Sequence, residues 1–213
     1  MKKSFIYIYN NKEYPVEVTY KMKKSISYRL KDGVFFVNAP YMVTQKRIKE
    51  GLDKFAKKLI ERDNLNKSLE NDKRLFLFGD EVKIEGDVAT FSSGEKMTFV
   101  SREDLIDKLI WIYSDYMIER TRYYESLMSI VPSYKVKIKK MKSRFGSNSK
   151  QTHTISYANH LYSYSRDILD SLIVHELAHH FFFDHSKNFY SVVYKYCPNY
   201  KKDNVKLKKR IFK

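Results

Sequence analysis

The stretch Ser171–Ser186, SLIVHELAHHFFFDHS, limits the fold of this chain more than any other. Leu172, Ile173, Val174, Leu177, Ala178, Phe181, Phe182 and Phe183 read as a core helix, yet His175, Glu176 and His179 sit among them in the order H-E-x-x-H. An unpaired glutamate and two histidines in such a core would cost several kcal/mol unless something satisfies them. On a helix His175 and His179 stand one turn apart, about 40° around the axis and about 6 Å along it, so both imidazoles reach one ion. Glu176 lies on the same side. Two neutral imidazoles and a third ligand from beyond the helix would hold Zn2+ and leave one position open for water, the arrangement of a catalytic rather than a structural site. The neighbouring carboxylate would take the proton of that water.

The third ligand is expected to be His185. The chain has no glutamate after Glu176, which leaves His185, Asp184, Cys197 and Asp203 as candidates. His180 lies about 140° around the helix from His175 and points away. For His185 to reach back, the helix must end near Phe183 and the chain must reverse, a turn that Asp184 and Ser186 permit.

With 213 residues the chain buries a real core, as one domain or two small ones. Its 18 Tyr and 14 Phe exclude a disordered tail. The net charge of +16, from 41 basic and 25 acidic residues, would attract nucleic acid, anionic membrane or acidic protein. Abundant Lys, Asn, Ile and Tyr beside only 6 Gly and 4 Pro are equally what an A/T-rich genome gives, so the charge alone selects no partner. Cys197 is the single cysteine, which rules out an intrachain disulfide and a four-cysteine zinc module and suits a reducing interior. The apolar run near the start is too short for a signal peptide, and Leu105–Tyr124 carries too many charges for a bilayer span. A soluble cytoplasmic protein is expected.

Along the chain, Ser4–Tyr9 and Tyr14–Tyr20 alternate about Asn10-Asn11-Lys12, and Ser25–Leu30 and Val34–Asn38 about Lys31-Asp32-Gly33, which predicts two hairpins of a small antiparallel sheet. Thr44 caps a helix with apolar Ile48, Leu52, Phe55, Leu59 and Ile60. Short β-rich runs return over Arg74–Val100. Ser101 and Asp104 resemble a capping box opening the longest helix, to about Ile130. Tyr134–Lys139 and Thr152–Tyr157 read as strands joined by the polar loop SRFGSNSKQ, and Ser186 caps a last helix, Lys187–Tyr196. The tail from Lys201, seven Lys or Arg against one Asp, reads as a solvated end. The expected division is a β-rich region with one helix over 1–100 and a catalytic region over 101–213.

Several strings together resemble the YgjP-like (DUF45) family of zinc metallopeptidases. They are KKSISYRLKDGVFFVNAP and LFLFGDEVKI in the first half, then KSRFGSNS at Lys142–Ser149, IVHELAH at Ile173–His179, DHSKNF at Asp184–Phe189 and PNY at Pro198–Tyr200. The family pattern has Trp, Cys and Asn where this chain has Phe145, Asn148 and Asp184, and none of these is a ligand position. The resemblance implies an α+β zincin-like fold, zinc, and a peptide or protein substrate. Within it, Arg144 is a candidate to pair with a substrate carboxylate or a developing oxyanion, and Tyr200 to donate to that oxyanion. His153 and His160 are candidates to line the cleft. Two other readings stay open: a nucleic-acid-associated protease of the SprT-like kind using the basic surface, and a non-catalytic metal-binding scaffold, which would have no need of Glu176.

Overall fold

A computed structural model describes residues 2–71, 74–141 and 143–213, with the backbone alone for 65–71. Lys142, first residue of the KSRFGSNS string, lies outside the described residues. The protein is α+β and forms two compact units, one up to residue 71 and one from Arg74 to Lys213.

In the first unit the hairpins form as expected. Strands β1 (Lys2–Tyr9) and β2 (Lys12–Tyr20) pair antiparallel, as do β3 (Ser27–Lys31) and β4 (Val34–Ala39). Asn10, Asn11 and Asp32 adopt positive φ, which these short polar side chains tolerate, and Gly33 follows at φ +81°. What strand alternation did not reveal is the join between hairpins: β2 and β4 run parallel, so the sheet order is β1-β2-β4-β3. Helix α1 (Gln45–Asn71) starts where Thr44 Oγ1 accepts from the Arg47 amide. It buries Ile48, Leu52 and Ala56 among Val16, Val18, Phe35 and Val37.

The second unit opens with a four-stranded meander, β5 (Leu75–Leu77), β6 (Asp80–Glu85), β7 (Val88–Thr90) and β8 (Lys96–Thr98). Its core residues Leu75, Val82 and Ala89 pack with Leu105 and Leu109 of α2 (Arg102–Leu127). Ser101 caps the helix as expected, its Oγ accepting from the Asp104 amide at 3.1 Å, but Asp104 accepts from the Val100 amide (3.0 Å), one residue before the cap, so the box is not closed on Ser101 itself.

A three-stranded sheet of order β10-β11-β9 then forms from β9 (Lys135–Lys139), β10 (Gly146–Ser149) and β11 (Thr154–Ala158). Two strands were expected with a loop between them. That loop contains β10, which pairs antiparallel along the edge of β11, while β9 and β11 run parallel. Gly-Ser-Asn-Ser is poor in β-formers, so pairing with the fully buried β11 decides its conformation.

After a 3-10 helix over Asn159–Ser163 comes α3 (Arg166–Ala178), followed by α4 (Lys187–Tyr196) and α5 (Tyr200–Lys209). Ser186 caps α4 through the Phe189 amide. The tail expected to be solvated is instead α5, which buries Tyr200, Asp203 and Leu207. Beyond it, the Phe212 carbonyl accepts from the Ser165 amide at the start of α3 (2.7 Å), and Lys213 pairs with Asp80 at 2.7 Å. The three helices and β11 share one core with Tyr113 and Met117 of α2. Arg120, Tyr116 and Tyr124 of α2 all bond the Asp170 carboxylate, tying α2 to the first half of α3.

Candidate metal centre

Helix α3 is buried on almost every face, so the polar residues of its last turn stand out. The α-helix ends at Ala178, earlier than the expected Phe183. His179 is its C-cap, at φ −64° and ψ −14°, close enough to helical that the one-turn relation to His175 survives. The amides of His180, Phe181 and Phe182 fold back onto the carbonyls of Leu177 and Ala178, and the chain reverses. Asp184 accepts from the Ser186 amide at 3.1 Å, an Asx turn of the kind expected, with His185 between them at φ +50°.

The reversal brings His185 to His175 and His179. One nitrogen from each of the three lies within 4.8 Å of the others, and His185 Nε2 is 3.3 Å from His175 Nε2. The other ring nitrogens of two of them are engaged. His175 Nδ1 is 2.8 Å from Tyr200 Oη, and His179 Nδ1 is 3.1 Å from the Phe182 carbonyl. A carbonyl only accepts, so His179 donates from Nδ1 and keeps a lone pair on Nε2. Phe189 underlies the group, its ring centroid 5.0, 4.7 and 4.8 Å from those of His175, His179 and His185, and it is itself fully buried. Burial, reinforced by His179 and His185, lowers the pKa of His175 to about 3, and burial lowers that of His179 as well. All of this favours neutral imidazoles with lone pairs facing one point, the state a metal requires. Two ligand atoms at the corners of a tetrahedron with bonds of about 2.0–2.1 Å stand about 3.3 Å apart. The His175–His185 pair has that spacing, and three neutral imidazoles are a donor set that a divalent cation such as zinc takes.

Glu176 is 5% exposed and has no side-chain hydrogen-bond partner among the described residues. Burial raises its pKa to about 8, against the opposing charge of Arg144. Two residues of the edge strand β10 settle its place. A Cβ on Gly146 would fall 2.6 Å from Glu176 Oε1, so only glycine lets the carboxylate lie there. Asn148 Nδ2 donates to the Glu176 backbone carbonyl at 2.8 Å, satisfying a carbonyl of the helix's last turn. Gly146 was not singled out from the sequence, and Asn148 only as a departure from the family pattern, although the string RFGSNS contains both. A cavity of about 440 Å³ opens beside His175, Glu176 and His185.

The remaining candidates fall in different places. Arg144 is exposed and acts on Glu176 through its charge. Tyr200 is buried and bonds His175. His180 turns away, as expected, to meet Tyr134 Oη at 3.1 Å. His153 stacks on Tyr134 and reaches the Pro132 carbonyl, and His160 lies beside Phe145; neither is among the residues lining the cavity. Asp184, Cys197 and Asp203 are not part of the metal-binding group. Burial raises the Cys197 thiol to about 11, so it stays protonated.

Residues 24–210 match the YgjP-like, metallopeptidase domain family, and the chain belongs to that family. None of the curated proteins matches it. Among solved structures, the metallopeptidase zymogen jannalysin of Methanocaldococcus jannaschii is 20% identical with a TM-score of 0.42, covering 45% of this chain and 96% of its own. The metallopeptidase zymogen abylysin of Pyrococcus abyssi is 21% identical with a TM-score of 0.40, covering 43% and 93%. No helix among the described residues is long and apolar enough to cross a membrane.

Proposed function

We propose that this protein is a zinc-dependent peptidase of the zincin kind, in which His175, His179 and His185 hold the metal and Glu176 is the general base. The observation that carries the proposal is the juxtaposition of three converging imidazoles with one buried carboxylate that has no hydrogen-bond partner among the described residues. Zinc bound there would supply Lewis acidity, lower the pKa of water toward about 7, polarise a substrate carbonyl, and through its charge draw Glu176 back to the carboxylate form.

The chain's own residues do the rest. Glu176 takes a proton from the attacking water at Oε1 or Oε2 and returns it to the amine that leaves. Gly146 leaves room for that carboxylate to lie against β10 at the edge of the cavity, and Asn148 ties down the backbone of the turn that carries it. The Phe182 carbonyl holds His179 in the tautomer with Nε2 free. Phe189 fills the space beneath the histidines and keeps water from the far side of the centre. With Nε2 of His175 turned to the metal, its Nδ1–H donates to Tyr200 Oη, so the phenol positions a ligand and keeps its own O–H to donate to a developing oxyanion. Burial keeps that phenol protonated. Arg144, exposed at the approach to β10, is a second candidate to meet a developing oxyanion or a substrate carboxylate.

The test is metal analysis of the purified protein together with a digest of a proteome-derived peptide library. One zinc per chain and cleavage that stops with a chelator and returns with zinc are the expected results. Stoichiometric zinc without cleavage of any peptide would leave the scaffold reading in its place.

A further inference from the structure

The cavity beside the centre has a chemistry of its own. One wall is apolar, formed by Phe145, Leu172 and Leu207. Asn204 and Lys208 also line it, one turn apart on α5 and therefore side by side. Neither side chain has a hydrogen-bond or ion-pair partner among the described residues. Glu176 is the one carboxylate in the lining, and it lies at the end where the histidines are. The helix that carries the pair adds Lys201, Lys202, Lys206 and Lys209, against a single acid, Asp203, which is buried. A guest entering this cavity thus meets an unpaired ammonium and an unpaired amide above a hydrocarbon wall. A cationic side chain would face like charge there, whereas a carboxylate on a short aliphatic stem would match both the wall and the donors.

We propose that this cavity is a carboxylate-binding subsite, taking an Asp or Glu side chain, or the free C-terminal carboxylate, of a peptide substrate, with Lys208 and Asn204 as donors. The assignment rests on the peptidase reading above and extends it to a substrate class. It also gives part of the +16 charge a location and a use: a positive cleft focuses the field and speeds the arrival of acidic peptides.

Peptides of one parent sequence, with Glu or Gln at each position near the scissile bond and with free or amidated C termini, separate the two sources of carboxylate. For the zinc-loaded full-length protein, kcat/KM should be about tenfold or more higher for the carboxylate-bearing member of one such pair, and the gap should narrow as salt is raised. Lys208→Glu should abolish or invert the preference. Lys201→Glu, an equal change of net charge at an exposed position of the same helix, should keep it. Equal rates on acidic and neutral peptides, or a preference that survives Lys208→Glu, overturn the assignment while leaving the peptidase intact. Binding of dye-labelled peptides to zinc-loaded Glu176→Gln protein supplies the converse. Lys208-dependent binding of the acidic peptide, with no cleavage of any peptide by the unaltered protein, retains the subsite and removes the reaction. Displacement of that peptide by an oligonucleotide with the same dependence on Lys208 assigns the cavity to nucleic acid and sinks the proposal.

Discussion

Helix α3 carries two carboxylates in contrasting surroundings. Near its start, Asp170 is gripped by Arg120, Tyr116 and Tyr124, so all of its charge is spent inside the protein. Near its end, Glu176 is more deeply buried and has no side-chain partner among the described residues. A satisfied acid is a strut that joins two helices. An unsatisfied one stores a proton affinity directed at whatever enters the cavity, and its pKa of about 8 is the mark of that state.

The contrast can be broken most sharply at Glu176. Glu176→Gln should lower peptide hydrolysis by about 10³-fold while fold and zinc content stay near normal, because the group moves protons and is not a ligand; loss of stoichiometric zinc would put Glu176 among the ligands. His185→Ala should weaken zinc affinity on the order of 10³-fold in a chelator competition, whereas His180→Ala should leave it nearly unchanged, and the reverse result would reassign the third ligand. Gly146→Ala should displace the Glu176 carboxylate and cost about 10²-fold in kcat with zinc retained; full activity would mean that the carboxylate tolerates a Cβ beneath it. Asp170→Asn should do the opposite of Glu176→Gln, lowering stability in urea by about 2 kcal/mol, between the surface and buried limits for an ion pair, with zinc affinity kept. Tyr200→Phe keeps the stacked ring but loses the bond to His175, and zinc affinity should fall about 10–100-fold. Unchanged affinity with a lower kcat would limit Tyr200 to the oxyanion.

What could be read from the sequence follows the range over which each signal acts. Caps and turns are local, and Thr44, Ser101, Ser186, Asn10-Asn11 and Asp32-Gly33 all stand where their residue types place them. The histidine group was also legible, since H-E-x-x-H and a reversal at Asp184–Ser186 leave His185 one place to go. Residues that act across the chain were not. Strand β10 is polar and takes its conformation from β11, so it looks like a loop until the sheet exists. Gly146 matters because of Glu176, a relation with no period or motif, and Tyr200, a candidate through the string PNY, was not expected to bond His175. The tail from Lys201 failed for a related reason: its buried Asp203 and Leu207 are four apart in a run of lysines, too few apolar positions to announce a packed helix.

The bond from the Ser165 amide to the Phe212 carbonyl gives the centre an order in time. A chain still being synthesised that has reached Ser186 already carries all three histidines and Glu176. It lacks Tyr200, which bonds His175 Nδ1, and Phe212, which anchors the first turn of α3. On the proposed reading the ligands come early and the groups that hold them come late, so tight metal capture should wait until residues through Phe212 have emerged.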